Sequence, residues 1–137
     1  MKNEASIDGI TVGGQPSAAD LSNGMFTSVI NVRRHEEPGN DTEVLVAGSQ
    51  INYTVVPWTI DTVTKEDIAT IRAAVDASRG PVLIHCMGGT RAALAAAIVS
   101  AEKDGSGPSG AIAKAEAAGF EIRGTPYGAF IDEYFHA

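Results

Sequence analysis

Apolar residues recur along this chain in two rhythms that alternate from one end to the other. Short apolar or alternating runs at Ile10–Val12, Ser28–Val32, Ile51–Val56 and Val82–His85 match strands. Between them lie stretches with helical spacing. Ser17–Asn23 and Thr42–Ser49 read as short helices, the second behind a Pro38-Gly39-Asn40-Asp41 turn in which Asp41 is a ready N-cap. Thr64-Lys65-Glu66-Asp67 opens a longer helix that carries Ile68, Ile71 and Val75 on one face. An Ala-rich helix runs from Arg91 to about Lys103. A Gly/Ser/Pro loop, 104–110, leads to a helix over Ala111–Ala118 with Gly119 as its stop. Thr125-Pro126 then starts a last helix with an apolar stripe of Tyr127, Phe130, Ile131, Tyr134 and Phe135.

Strands alternating with helices of these lengths predict an α/β fold. The expected architecture is a mainly parallel, four- to five-stranded sheet flanked by helices on both faces. Strands 28–32, 51–56 and 82–85 form its parallel core, and 10–12 adds an antiparallel edge. Nothing divides the 137 residues, so a single domain is expected. Ligands of such sheets bind beyond the carboxyl ends of the strands. Arg33, Asp61 and Cys86 all follow strands, so one rim can hold all three.

A hydrophobic content of 44% and a charged content of 20% are ordinary for a globular chain. The net charge of −7 argues against a nucleic-acid surface or an anionic membrane face, so any phosphate site must be made by local geometry. The single cysteine excludes an internal disulfide and any redox cycle needing two thiols in one chain. Residues 1–12 lack the apolar core of a signal peptide, and no run approaches the roughly 20 apolar residues of a membrane span. A cytoplasmic location is therefore expected. The three histidines, His35, His85 and His136, are scattered, so no metal site is expected. Gly9–Gly14 lacks the form of a dinucleotide fingerprint, and no cofactor is expected.

The chemistry concentrates in Ile84-His85-Cys86-Met87-Gly88-Gly89-Thr90-Arg91. An apolar run, a glycine-bearing turn and a helix follow one another, the layout that aims backbone N–H groups at an anion. A thiol in that turn lies at the positive end of a helix, where its nucleophilic thiolate is favoured. Cys86 is the candidate nucleophile. The amides of Met87, Gly88, Gly89 and Thr90 are candidate donors to phosphate oxygens, and Arg91 supplies a planar fork for two of them. A buried core cysteine is the plain alternative, but it leaves Gly88, Gly89 and Arg91 unexplained. His85 precedes the nucleophile and points to the opposite side of the strand, so it fixes the loop rather than serving as a base. Thr90 either donates to the sulfur or the anion, or packs as an ordinary loop residue. Asp61, just beyond the third strand, is the candidate general acid; it can equally cap the helix from Thr64 or stand in solvent. Arg33 is a further candidate phosphate ligand, against pairing of Arg33 and Arg34 with Glu36 and Glu37 at the surface.

His85-Cys86 through Arg91 resembles the signature of the cysteine-based tyrosine and dual-specificity phosphatases. The wider pattern is closest to a bacterial branch, the beta-lactamase-hydrolase-like, phosphatase-like family. The segments that carry this likeness are Val12-Gly13-Gly14-Gln15-Pro16, Val29-Ile30-Asn31-Val32-Arg33, Glu36-Glu37-Pro38-Gly39 and Cys86-Met87-Gly88-Gly89-Thr90-Arg91. The resemblance implies a phosphatase-like fold, Cys86 as nucleophile and Arg91 as phosphate ligand. The substrate it implies is a phosphorylated protein or a small phosphoester. Two features depart from the usual phosphatase pattern. Four residues rather than five separate Cys86 from Arg91, a six-residue loop of the size that rhodanese-like sulfurtransferases use to cradle a persulfide. Ala92 also stands where many phosphatases carry Ser or Thr. Three functions stay open: a phosphomonoester hydrolase, a sulfurtransferase carrying sulfur on Cys86, and a phosphate-recognising module with little turnover. The aromatic stripe at the carboxyl end serves either as core or as a face for self-association.

Overall fold

The computed structural model describes residues 1–136. One sheet of five strands runs through the molecule: β1 (Ala5–Ile7), β2 (Ile10–Gly13), β3 (Ser28–Asn31), β4 (Asn52–Val55) and β5 (Val82–His85), in the order β1-β2-β5-β3-β4. Six helices complete it: α1 (Ala18–Ser22), α2 (Thr42–Val46), α3 (Lys65–Ala77), α4 (Thr90–Asp104), α5 (Gly107–Ala117) and α6 (Pro126–Phe135).

The sheet is mostly parallel, with one correction to the expected topology. Residues 10–12 are not an antiparallel edge; β2 lies inside the sheet and pairs parallel with β5. The antiparallel edge is β1, which folds back on β2 through Asp8-Gly9, a dipeptide suited to two-residue hairpin turns. That hairpin covers Ile7, Ile10 and Val12, all of which are buried.

Side chains alternate across the sheet with the period of two that a pleated strand imposes. Val29 and Leu83 face a small cluster with Leu21, Phe26 and Val46, on the side of α1 and α2. Val12, Ile30 and Ile84 face the larger cluster built with α3, α4, α5 and α6. Within it, α4 is buried along every residue from Ala92 to Ala101. Its run of alanines lets the backbone lie close to the sheet and to α5, so the helix serves as the axis of that layer.

The boundaries follow local chemistry. Ser17 and Thr64 each close a capping box, with Asp20 and Asp67 answering from three residues on. Thr125 caps α6, accepting from the Tyr127 N–H, and Pro126 follows in the first turn. Asp41 is the N-cap of α2, its carbonyl accepting from the Val44 and Leu45 N–H groups, but its carboxylate makes no capping bond and accepts instead from Gln15 Nε2 at 3.3 Å. That helix also stops early, at Val46, because Ala47 has extended backbone angles. Helix α5 begins at Gly107, inside the stretch expected to be a loop. Pro108 sits in its first turn, where a missing N–H costs nothing. Phe130 and Ile131 of the aromatic stripe are buried, and Tyr127, Tyr134 and Phe135 pack against the core.

Strand order and register assemble one rim. Gly13 and Asn31 both pair with His85, so the residues that leave β2, β3 and β5 emerge side by side. Val55 pairs with Asn31 in turn, which brings the 56–63 segment to the same edge.

Candidate active site

Cys86 is the first residue past β5, and its N–H donates to Gly13 O at 3.1 Å. The residue is 1% exposed, with the hydrophobic core on one side. On the other side, the Gly89 N–H donates to Cys86 Sγ at 3.0 Å. Gly89 is the N-cap of α4 and has φ of +108°, a region that disfavours a side chain. A Cβ there would also come within 3.2 Å of the Phe120 ring. Glycine at 89 is therefore favoured by its backbone angle, and the Phe120 ring leaves little room for a side chain.

Three donors from outside the loop hold its carbonyls. His85 Nδ1 lies 3.2 Å from Cys86 O, Gln15 N donates to Met87 O at 3.2 Å, and Asn3 Nδ2 donates to Gly88 O at 2.8 Å. The Gln15 bond requires the chain to pass close by at Gly14, where a Cβ would sit 2.5 Å from Met87 O. A trans peptide points its N–H opposite to its carbonyl. Holding these three carbonyls therefore turns the N–H groups of Met87, Gly88 and Gly89 the other way. For Gly89 that way is the sulfur.

Arg91 lies in the first turn of α4 with its side chain 13% exposed. Glu37 grips it with two parallel bonds, Nη1 to Oε2 and Nη2 to Oε1, each 2.8 Å long. Nη1 also donates to Trp58 O at 3.1 Å. Among the described residues, the Nε–H and the second N–H of Nη2 take no protein acceptor, and they lie on one edge of the guanidinium. The two bonds from Arg91 hold the Glu37 carboxyl down at about 2, assisted by the Arg34 N–H and by Arg33 and opposed by burial.

Arg33 had been expected at the anion. It is 1% exposed, and three of its nitrogens are already engaged: Nε with Glu37 Oε1 at 3.2 Å, Nη1 with Gln15 Oε1 at 2.6 Å and Nη2 with Pro38 O at 2.5 Å. Its pairing with Glu37 is therefore buried rather than superficial, and it stands one layer behind Arg91. Arg34 pairs with Glu36 in the open.

His85 is fully buried, and Thr42 Oγ1 lies 3.0 Å from its Nε2. Burial, aided by the charges of Arg33 and Arg91, pushes its imidazole down to about 4 against the bond to Cys86 O and the charge of Asp41. It is thus neutral at physiological pH, in keeping with a residue that fixes the loop. Thr90 opens α4 and is half-buried, and the Met87 side chain is 45% exposed.

Asp61 sits at the tip of an exposed turn closed by Thr59 and Thr62. It does not cap α3, whose cap is Thr64 with Asp67. The turn follows Trp58, whose carbonyl receives Arg91, so it belongs to the same rim. Tyr127 joins it there: burial pushes its phenol up, and the charges of Arg91, Cys86 and Asp61 all act on it. Sequence reasoning assigned no site role to Glu37, Asn3, Gln15 or Thr42. The spacing of Glu37 four residues after Arg33 was the available signal for the first; the others become neighbours of the loop only through strand order. Among the described residues, no group of three or more His, Cys, Asp and Glu side chains could hold a metal, and no helix is long and apolar enough to cross a membrane.

Comparison with known proteins shows the family and the fold. Residues 7–103 match the model of the phosphatase-like domain of beta-lactamase hydrolase-like proteins. A beta-lactamase hydrolase-like protein of Agrobacterium fabrum is 38% identical over 100 residues, which is 67% of this chain but 23% of that protein. The chain thus corresponds to about a quarter of that relative's length. Among solved structures, a protein of Neisseria meningitidis Z2491 superposes with a TM-score of 0.78 at 20% identity, covering 98% of this chain and 99% of the other. The core catalytic domain of the PP-IP phosphatase SIW14 from S. cerevisiae gives a TM-score of 0.76 at 14% identity, covering 97% and 85%. These structural likenesses establish a phosphatase-like fold.

Proposed function

The chain belongs to the family of phosphatase-like domains found in beta-lactamase hydrolase-like proteins, and from that premise we propose that it is a cysteine-dependent phosphomonoester hydrolase. The observation that carries this reading is the Gly89 N–H bonded to Cys86 Sγ at 3.0 Å, at the N-terminus of a helix of 15 residues. That N–H and the positive end of the helix are both directed at the sulfur, the place where an anion is received.

In the proposed reaction the Cys86 thiolate attacks phosphorus, an S–P bond forms and the ester P–O bond breaks. The N–H groups of Met87 and Gly88, turned away from the bonded carbonyls, receive non-bridging oxygens, while that of Gly89 stays on the sulfur. The free edge of Arg91, its Nε–H and second Nη2–H, takes two of them as a fork while Glu37 and the Trp58 carbonyl hold the opposite edge. Asp61, as the carboxylic acid, gives its proton to the leaving oxygen. Water then attacks the phosphocysteine, Asp61 takes a proton from that water, and phosphate leaves with the thiolate restored. Arg33 supports this site through Glu37 and Gln15. The substrate class is a phosphorylated protein or a small phosphoester, handled without a metal or cofactor in the proposed steps.

A second reading, a persulfide carried on Cys86, is favoured by the loop of six residues from Cys86 to Arg91. Both readings are tested by incubating the protein with p-nitrophenyl phosphate and, separately, with thiosulfate and cyanide. Phosphate release that disappears in Cys86→Ser is the expected result. Thiocyanate production without phosphate release replaces the hydrolase by the sulfurtransferase. Protection of Cys86 from alkylation by inorganic phosphate, with neither product formed, leaves a recognition module.

A further inference from the structure

We infer that Thr42 and the Gln15 side chain are positioning residues for Cys86, acting through His85. Four consecutive hydrogen-bond contacts join them in the buried layer behind the loop. Arg33 Nη1 donates to Gln15 Oε1 at 2.6 Å, Gln15 Nε2 donates to Thr42 Oγ1 at 2.8 Å, Thr42 Oγ1 meets His85 Nε2 at 3.0 Å, and His85 Nδ1 meets the Cys86 carbonyl at 3.2 Å.

The two ends of this chain leave one arrangement of protons. A guanidinium only donates, so Gln15 presents its oxygen to Arg33 and its amide N–H to Thr42. The Thr42 hydroxyl accepts from Gln15 and has one hydrogen, which goes to His85 Nε2 when the neutral imidazole keeps its proton on Nδ1. The imidazole then carries its proton on Nδ1 and gives it to Cys86 O, which only accepts. The Cys86 carbonyl demands this direction and the Thr42 hydroxyl, oriented by Gln15, answers it, so the tautomer of His85 is supported by side chains on the β2–α1 connection and on α2, far from it in sequence. A neutral imidazole is what the relay requires, and burial keeps His85 neutral. With the carbonyl of Cys86 held on this side, the Met87 N–H faces the other. The inference concerns the geometry around the thiol and rests on the hydrolase reading only for its catalytic consequence.

The test uses the imidazole nitrogen spectrum of His85 together with the rate at which iodoacetamide alkylates Cys86 at pH 7. In the wild-type protein His85 is expected as the neutral Nδ1–H form. Thr42→Val removes the hydroxyl at nearly constant shape. It is expected to abolish that single tautomer and to slow alkylation about fivefold, the factor carried by one lost neutral hydrogen bond of ordinary strength. Thr42→Ser restores both. Gln15→Met breaks the relay one bond further away and, should Thr42→Val fail to fold, serves in its place with the same expected direction. An unchanged His85 spectrum and alkylation rate in the folded variants overturns the inference. A relay that behaves as expected in a protein with no Cys86-dependent phosphate release removes the hydrolase reading and upholds the inference.

Discussion

The two sides of the rim are built on different terms. Residues 86–89 are held from behind by donors from the N-terminal segment, the β2–α1 connection and β5, and Arg91 is gripped from the 33–38 segment and from Trp58. Residues 59–63 form a turn closed through Thr59 and Thr62 and anchored to the core by Ile60 and Val63, with the Asp61 side chain exposed at its tip and without a protein partner among the described residues. The proposed nucleophile and anion ligands therefore stand preorganised, whereas the proposed acid sits where a side chain can swing. Preorganised groups lose most when replaced, because their neighbours cannot move to compensate. A mobile acid gives smaller losses that depend on how much help the leaving group needs.

The largest expected effect lies in the fixed half. Cys86→Ser is expected to reduce release of p-nitrophenol to the level without protein while leaving inorganic phosphate bound, as read by equilibrium dialysis. Loss of phosphate binding together with turnover would mean that the sulfur builds the cradle as well as attacking from it. Next comes Arg91→Lys. Lysine keeps the charge but cannot hold Glu37 and a phosphate with two opposite edges at once, so kcat/KM should fall on the order of 10³-fold. A loss below about tenfold would show that charge alone suffices and that the fork is not used.

Asp61→Asn probes the free half. Its effect on kcat/KM, which reports expulsion of the leaving oxygen and not the shared hydrolysis of phosphocysteine, should be on the order of 10²-fold for an alkyl phosphate, whose leaving oxygen needs a proton, and much smaller for p-nitrophenyl phosphate, whose leaving group departs as an anion. Equal losses on both substrates would remove Asp61 as acid and direct attention to Tyr127, which shares its electrostatic surroundings.

The difference between the halves also tracks what the sequence made readable. Strand, glycine turn and alanine helix are consecutive in the chain, so local pattern alone placed Cys86, Gly89 and Arg91 together. The caps at Thr64 and Thr125 were legible for the same reason, since each acts within three residues. The grip of Glu37 on Arg91 spans 54 positions and exists because β3 and β5 are neighbours, an order that no local pattern states. Arg33 past its strand could be read as a phosphate ligand or as a surface partner of Glu36 and Glu37; the fold pairs it with Glu37 but buries it. The β1–β2 hairpin escaped notice because β1 is three residues long, too short to show a period. The early start of α5 was hidden by Gly107 and Pro108, residues that usually signal a loop and here occupy a first helical turn.

The smallest expected effect concerns the joint between the fixed half and its support. The Glu37 carboxyl titrates at about 2 in the folded protein against an ordinary value of 4.5. The unfolded chain therefore takes up this proton first as pH falls. Stability derived from the shift is fully present above about 4.5, declines below it and is gone once pH has passed through about 2. Glu37→Gln removes the charge but keeps one acceptor for Arg91. With the pair only partly shielded from water, the cost at pH 7 should be on the order of 1–2 kcal/mol in urea unfolding. The gap between wild type and variant should narrow as pH is lowered from 4.5 and close near 2. A gap that stayed constant over that range would mean that Glu37 contributes through shape rather than charge, and that the fixed half of the rim keeps its geometry without the Arg91 ion pair.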